Sequence, residues 1–259
     1  MSALVAEAPS LDLTGSRRVP MRRLVLVELR KMADTRAGRW LLIGIAALAT
    51  VVMILSMLTF DDPERTFTRL MSSASIPQAA LLPVLGILLV TSEWTQRTAL
   101  VTFTLEPVRL RVVASKVVAA ILFGLGAVVI TLVMGVGVTA IFGNEVAWDN
   151  VGIVEIAKFA LLQESTILQG LVFGLAILNS AAAIAAFFIV PTAFGLVTTM
   201  WDAIADVAPW ININAASGVL LEPRTMTGEE WAHLGVTHLL WIGVPLAIGL
   251  TRVLRKEVK

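Results

Sequence analysis

The chain has 259 residues, of which 57% are hydrophobic and 15% are charged, whereas soluble globular proteins carry about 25% charged residues. Together with a mean hydropathy of +0.85, this composition indicates a membrane protein and excludes an ordinary soluble domain. The net charge of +1 predicts no nucleic-acid partner, and the lack of cysteine excludes disulfides, thiolate nucleophiles and cysteine-ligated metal sites.

The N-terminal region contains two predicted segments before the first apolar run. Residues 1–20 mix acidic and basic side chains without an apolar core, so we expect a mobile cytoplasmic leader and not a signal peptide. In residues 21–36, apolar side chains recur at helical spacing opposite several basic ones, which predicts an amphipathic helix on the membrane surface. Glu28 falls within the apolar face, where a carboxylate needs either a local partner or a neighbouring protein.

Six apolar segments are long enough to cross a bilayer, which takes about 20 helical residues. They cover about residues 40–60, 74–91, 117–142, 156–178, 181–200 and 233–252. Pro77 and Pro83 should kink or unwind the outer half of the second span. Four glycines in the third span permit close helix packing, namely Gly124, Gly126, Gly135 and Gly137. The sequence therefore predicts an all-α polytopic protein embedded in the lipid bilayer.

The distribution of basic residues predicts the orientation of the spans. An even number of spans places both termini on one side of the membrane. Most of the 20 lysine and arginine residues fall in the N-terminal arm, in the loop 93–116 or at the C terminus. The exceptions are Arg65, Arg69, Lys158 and Arg224. Because cytoplasmic loops carry an excess of basic residues, both termini and the loop are predicted to be cytoplasmic.

The loop 93–116 is too long for a tight turn and too apolar for a solvated linker. Leu100, Phe103 and Pro107 share one helical face. Pro107 should end any helix there, because the residue before a proline avoids helical backbone angles. This pattern fits a short helix that inserts into another protein, and it fits equally a helix that lies on lipid.

The fourth predicted span is the one with several polar residues in its interior. Gln163, Glu164 and Gln169 could border a path for a polar or cationic substrate, because a carboxylate deep in a membrane is costly unless it is paired or hydrated. Alternatively, the span begins later, so that Glu164 lies near the outer headgroups and Lys158 lies outside in an interfacial helix. The second interpretation is the simpler one.

Several short motifs occur in a fixed order along about residues 24–256. Glu28 and Lys31 stand three residues apart, and Thr35 and Arg36 then lead into the first span. The loop carries a second group, namely Glu93, Thr98, Leu105, Pro107, Arg109 and Lys116. Together with the spans around them, these motifs resemble those of the permease subunits of bacterial ABC-2-type transporters.

The turn into the fifth span, residues 175–180, adds to this resemblance. Two positions depart from the family pattern. Arg97 replaces the glycine that is common before the threonine, and Asn179 stands where a basic residue is frequent. The first departure bears on how the loop packs against the rest of the protein. The second bears on which residues contact the short turn between spans four and five.

The resemblance implies an ABC-2-type exporter transmembrane domain in the bacterial inner membrane. Two such permeases would pair, as a homodimer or with a sister permease, and each would bind an ABC ATPase subunit that holds ATP and magnesium. This chain itself would be no enzyme and would bind no cofactor or metal. ATP-driven closure of the ATPases would open a central path for an amphiphilic drug, peptide or lipid.

The resemblance also implies which residues contact the ATPase. In the N-terminal helix they would be Glu28, Lys31 and Arg36. In the loop, which would act as the coupling helix, they would be Glu93, Trp94, Arg97, Thr98, Leu100, Phe103, Leu105, Glu106, Pro107 and Arg109. The sequence contains no phosphate-binding Gly-x-x-x-x-Gly-Lys-Ser/Thr loop, so ATP hydrolysis by that route requires a separate chain.

Two other function classes remain open. A membrane-embedded metal-dependent protease is suggested by the clustering of Glu229, Glu230, His233 and His238. Against it, the two histidines are five residues apart and do not share a helical face, and Thr227 with Glu230 predicts a helix-capping box. A secondary transporter is the second alternative, although the sequence shows no convincing repeat of two halves.

Overall fold

The computed structural model describes residues 19–61, 65–149 and 151–255. Within these ranges the chain forms helices and no strand. Six helices are long and apolar enough to cross a membrane, which confirms the prediction of an all-α polytopic fold. The predicted leader lies outside the described residues up to position 18.

The helices are numbered α1 to α11 in chain order. The first half contains α1 (Met21–Asp34), α2 (Arg36–Thr59), α3 (Phe67–Thr95), α4 (Ala99–Leu105) and α5 (Arg109–Phe142). The second half contains α6 (Ile153–Ile177), α7 (Ser180–Met200), α8 (Ala208–Ile211), α9 (Ile213–Gly218), α10 (Gly228–His238) and α11 (Val244–Arg255). A π-helical turn, Leu239–Gly243, joins α10 and α11 into one long helix. The six candidate spans are α2, α3, α5, α6, α7 and the joined α10–α11.

The candidate spans run back and forth between two ends of the helix bundle. The N-terminal helix α1, the short helix α4 and the last turn of α11 lie at one end, which we call the α4 end. The segment with α8 and α9 lies at the other, the α9 end. Helices α3 and α6 are the most enclosed, because more than half of each candidate span is buried, against 22% for α2, α7 and the last span.

Helix α3 stays helical through both of its prolines, so the predicted unwinding of the second span does not occur. The helix is continuous from Phe67 to Thr95 with Pro77 and Pro83 in its interior. Each proline removes one backbone hydrogen bond. Packing of α3 against its neighbours along its whole length outweighs that loss, because tertiary contacts contribute most of the stability of a helix in a protein.

Glycines let α3 and α6 approach each other closely. A Cβ atom on Gly86 would lie 2.3 Å from the carbonyl oxygen of Ile167. A Cβ atom on Gly170 would lie 2.2 Å from the carbonyl oxygen of Pro83. Both obstacles are backbone atoms, which cannot rotate away. The close contact of these two helices therefore requires glycine at both positions.

The third span uses only two of the four glycines that were predicted to mediate packing. A Cβ atom on Gly124 would lie 2.4 Å from Oε1 of Glu164, and one on Gly135 would lie 3.0 Å from the ring of Phe67. The other two have no atom within 4 Å of such a Cβ, namely Gly126 and Gly137. Within the described part of the chain, these two glycines therefore do not mediate close helix packing.

Candidate functional site

Four charged side chains meet inside the protein at the α4 end, and we call them the charge cluster. Its members are Glu28 and Lys31 on α1, Glu93 on α3 and Lys116 on α5. Nζ of Lys116 lies 2.7 Å from Oε2 of Glu28 and 3.2 Å from Oε1 of Glu93. Nζ of Lys31 lies 2.9 Å from Oε1 of Glu28 and 2.5 Å from Oε1 of Glu93. Each carboxylate thus has two ammonium partners, and the formal charges cancel.

Three members of the charge cluster are buried, Lys31 is partly exposed, and the cluster makes further hydrogen bonds. Glu28 and Lys116 are each 3% exposed, and Glu93 is 5% exposed. Lys116 also donates to the carbonyl oxygen of Leu89 at 3.0 Å, and the hydroxyl of Thr102 donates to Oε1 of Glu93 at 3.1 Å. Buried charges are tolerated when they are paired and hydrogen-bonded in this way. Through Thr102, helix α4 is joined to the same cluster.

The charge cluster explains why an acidic residue interrupts the apolar face of α1. Glu28 has the local partner that one interpretation of the sequence predicted, Lys31, and a second partner in the same chain, Lys116, which the sequence did not indicate. Burial alone would lower the pKa of Lys31, but the carboxylates of Glu28 and Glu93 outweigh it and hold the pKa above its ordinary value. The third residue predicted in the N-terminal helix, Arg36, begins α2 instead, because α1 ends at Asp34.

The turn between α3 and α4 contains a residue in the left-handed conformation. Arg97 has a φ angle of 58°. The N–H of Thr98 donates to the carbonyl oxygen of Glu93 at 2.8 Å, and the N–H of Arg97 donates to that of Trp94 at 3.4 Å. This is the hydrogen-bond pattern of a Schellman motif, whose left-handed position favours glycine. Arg97 therefore adopts a conformation suited to the glycine that the resemblance led us to expect there.

Helix α4 presents an apolar outer surface. It covers Ala99–Leu105 and ends two residues before Pro107, as the proline predicts. Leu100 and Val101 are exposed, and Leu105 is the most exposed of the three at 75%. An apolar surface on a short, structured loop is typical of a contact site for another protein or for lipid.

The inner side of α4 packs on the bundle through Phe103. Its ring lies 6.1 Å from the ring of Trp94, and the guanidinium of Arg109 lies 5.0 Å from its centre. Of the predicted face shared by Leu100, Phe103 and Pro107, only the first two residues lie within α4. Phe103 points inward, Leu100 points outward, and Pro107 lies beyond the end of the helix.

Charged residues after α4 fasten the loop to the rest of the protein. Glu106 is buried and lies 2.7 Å from Nη1 of Arg111. Arg109 donates to the carbonyl oxygen of Val253 at 2.6 Å and so joins the start of α5 to the end of α11. Because α5 begins at Arg109, the loop is shorter than the predicted 93–116, and Lys116 lies within α5.

A cleft of about 730 Å³ opens beside the charge cluster, between α1, α4 and the end of α3. Its walls are mostly apolar and include Leu24, Val27, Val101 and Leu105. The cleft separates the outer parts of α1 and α4, while the charge cluster connects their inner sides. The α4 end therefore combines an apolar surface with a rigid polar junction behind it.

The three polar residues predicted to form a substrate path point in two directions. Helix α6 is continuous from Ile153, so no separate interfacial helix precedes the fourth span. Gln163 and Gln169 line a cavity of about 440 Å³ between α3, α6, α7 and α9. Glu164 instead lies against Gly124 of α5, and its buried carboxylate oxygens have no hydrogen-bond partner within the described part of the chain.

Lys158 is buried within the protein, beside the segment that follows α9. It is 3% exposed, and its ammonium group donates to the carbonyl oxygens of Glu222 and Arg224 at 2.5 and 2.8 Å. Its burial therefore comes with hydrogen bonds that fasten the segment after α9 to α6. No pattern in the sequence indicates these acceptors, because they are backbone oxygens more than 60 residues away.

The residues of the metal-protease alternative do not form a metal site. Among the residues that the structure describes, no group of three histidine, aspartate or glutamate side chains could hold an ion. Thr227 and Glu230 form the predicted capping box. Nε2 of His238 lies 2.6 Å from Oγ of Ser165, a pair between α10 and α6 that the sequence analysis missed.

Comparison with known proteins adds no identification. No protein-family model matches the chain, and no curated protein matches it. The resemblance to ABC-2-type permeases therefore remains a prediction, and it rests on the order of short motifs. Any function for this chain must be argued from the geometry described above.

Proposed function

We propose that this chain is the membrane-spanning permease subunit of a bacterial ABC exporter of the ABC-2 type. The observation that carries the proposal is the charge cluster. It joins α1, α3 and α5 directly behind the exposed surface of α4, and Thr102 brings α4 itself into the same junction. In an exporter of this kind, the surface that contacts the ATPase must be rigidly connected to the spans that move when the ATPase changes conformation.

In this proposal the α4 end faces the cytoplasm, and a separate ABC ATPase with bound ATP and magnesium docks on α1 and α4. Leu100, Val101 and Leu105 form an exposed apolar patch of the kind that marks contact sites for proteins, and Arg97 adds an exposed charge beside them. The chain lacks a phosphate-binding loop of the Gly-x-x-x-x-Gly-Lys-Ser/Thr type, so the partner hydrolyses the ATP.

Movement of the ATPase would reach the membrane through the charge cluster. Glu28, Glu93 and Lys116 are paired ions in an interior of low dielectric constant, where separating one partner from the others is strongly unfavourable. α1, α3 and α5 should therefore move as one unit when α4 is displaced. A second copy of this chain, or a sister permease, would pair with it to enclose a path for an amphiphilic substrate.

A mild-detergent purification tests the docking surface. We would purify the tagged chain from its native membrane, identify co-purifying chains and measure their ATPase activity. Leu105→Asp and Leu100→Asp change the exposed side of α4 without touching the charge cluster. Leu254→Asp is the matched control, because Leu254 is an exposed leucine at the same end but on α11.

We expect an ABC-type ATPase to co-purify with the unaltered chain and with Leu254→Asp. Its recovery should fall at least tenfold with either α4 variant, while all variants insert into the membrane in equal amounts. The absence of such an ATPase from the unaltered chain, or equal recovery with all variants, would overturn the proposal.

One observation favours a secondary transporter instead, namely the buried carboxylate of Glu164 without a hydrogen-bond partner among the described residues. Carboxylates inside membrane helices often serve ion-coupled transport. Purified chain in liposomes, with an ion gradient but no ATP, separates the two functions. Ion-driven substrate movement that disappears in Glu164→Gln would support the secondary transporter, and the lack of any such movement would support the exporter.

A further inference from the structure

The cavity between α3, α6, α7 and α9 has the size of a small-molecule site. Its volume of about 440 Å³ falls within the range of about 300–1,000 Å³ that is common for such sites. It lies toward the α9 end, where Ser217 of α9 and Leu221 form part of its wall. The charge cluster lies at the opposite end of the bundle, so the two features are separate.

The wall of the cavity combines apolar and uncharged polar groups. Among the described residues that line it, none is charged. Phe187 and Phe188 place two neighbouring aromatic rings on the α7 side, with 5.1 Å between their centres. Hydroxyl and amide groups complete the wall, contributed by Ser75, Ser165, Thr166, Thr192, Asn214 and Ser217.

Two glutamines in this wall have side-chain amide nitrogens without a hydrogen-bond acceptor among the described residues. Gln163 is 1% exposed and Gln169 is 7% exposed, and the amide nitrogen of each is buried without an acceptor in the described part of the chain. A buried N–H group that has given up water without gaining another acceptor is unfavourable. An oxygen on a bound molecule is the kind of acceptor that both groups lack.

We propose that this cavity binds an uncharged amphipathic molecule. Its carbonyl or ether oxygens accept hydrogen bonds from the amides of Gln163 and Gln169, and its apolar part packs against Phe187 and Phe188. The inference names the substrate class of the proposed exporter. It rests on the proposed function for the role of the ligand as a transported substrate, whereas binding itself can be measured without an ATPase.

The charges nearby favour an uncharged ligand over an ion. An ion in this cavity would lose its water and find no opposite charge in the described wall, which is costly. The one carboxylate close in sequence, Glu164, lies against Gly124 of α5 and does not line the cavity. A bare acyl chain is also a poor fit, because it would leave both glutamine donors without an acceptor.

A photoreactive amphiphile tests the proposal on the purified chain in lipid nanodiscs. The probe is the N-acetyl butyl ester of photo-leucine, which is uncharged and carries two carbonyl groups. The same ester with a succinyl group in place of the acetyl group is an anion, and with a free, protonated amine it is a cation, so all three probes keep the apolar butyl ester and differ mainly in charge. Labelled peptides would be mapped after irradiation, with and without an excess of non-photoreactive N-acetyl-leucine butyl ester.

Two kinds of variant weaken the site, and one leaves it intact. Gln163→Leu combined with Gln169→Leu removes both amide donors. Ala79→Trp fills the cavity from an exposed position on α3, so it remains informative if the double variant does not fold. Ile189→Ala is the matched control, because Ile189 is an exposed neighbour of Phe188 on α7 that does not line the cavity.

We expect saturable labelling by the neutral ester on the cavity segments of α3, α6, α7 or α9. The half-saturating concentration should rise at least tenfold in both cavity variants and stay unchanged in Ile189→Ala, and both charged probes should bind at least tenfold more weakly. Equal binding of the three probes, labelling elsewhere, or a cavity variant that binds normally would overturn the inference. Such a failure leaves ATPase co-purification unaffected, so it can be told apart from a failure of the proposed function.

Discussion

Lys116 on α5 lies 2.7 Å from Glu28 on α1, although 88 positions of the sequence separate them. Both side chains are nearly inaccessible to solvent. An ion pair in such a place fixes the position of α1 on the bundle, because either partner alone would be a buried, uncompensated charge. The N-terminal helix is therefore held by a polar contact in addition to its apolar face.

Replacing Lys116 with methionine should destabilise the protein by about 3–5 kcal/mol, the usual cost of removing one partner of a buried ion pair. Unfolding by a denaturing detergent in mixed micelles measures this change. Glu28→Gln combined with Lys116→Met should be less destabilised than the sum of the two single variants, since the double variant no longer buries a carboxylate that lacks Lys116. Strict additivity would show that the two residues do not interact.

An exposed ion pair provides the control for that experiment. Glu222 and Arg224 lie 2.7 Å apart, and about half of each side chain is exposed. Surface pairs of this kind contribute about 0–1 kcal/mol. Glu222→Gln should therefore change the free energy of unfolding by less than about 1 kcal/mol under the same conditions.

Alkaline pH should weaken the charge cluster through Lys31. Its pKa is raised above the ordinary value of 10.5, so its contribution is fully present below about pH 10.5 and is lost as the pH rises through the folded-state pKa. The sequence has neither tyrosine nor cysteine to titrate in the same range. Thermal stability should fall above about pH 10.5, and the fall should be smaller in Lys31→Met. Identical pH profiles for the two proteins would contradict this account.

Replacing Arg97 with glycine should stabilise the protein by about 1 kcal/mol, because a side chain in the left-handed conformation is strained by roughly that amount and glycine is not. Arg97→Ala is the matched control. Alanine removes the charge but keeps the strain, so its stability should stay close to that of the unaltered chain. A glycine variant no more stable than the alanine variant would show that the turn carries no strain. Thermal unfolding of both variants in detergent measures the difference.

Replacing Gly170 with alanine should destabilise the protein by about 1–3 kcal/mol or more, because the new methyl group would meet the backbone of Pro83 on α3. Gly126→Ala is the control, because a Cβ atom at that position of α5 would have no other atom within 4 Å. There alanine favours the helix, so stability should change by no more than about 1 kcal/mol and in the stabilising direction. Thermal unfolding in detergent compares the two. Equal effects of both substitutions would mean that α3 and α6 are not in close contact at Gly170.

The sequence by itself determined the secondary-structure elements of this protein, its apolar helices above all. A run of about 20 apolar residues satisfies its backbone groups in lipid only as a helix, so composition and length were enough to place the six candidate spans. The ends of helices could also be predicted where the interacting residues are close in sequence. Pro107 marked the end of α4, and Thr227 with Glu230 marked the start of α10.

Only the tertiary structure decided which polar groups meet. Periodicity places Glu28 on the apolar side of α1, but its partner Lys116 follows from how α1 packs on α5. In the same way, Gln163 and Glu164 are adjacent in sequence, yet one lines the cavity and the other faces α5. A helix turns by about 100° per residue, so adjacent residues face different neighbours, and those neighbours are set by contacts between segments far apart in the chain.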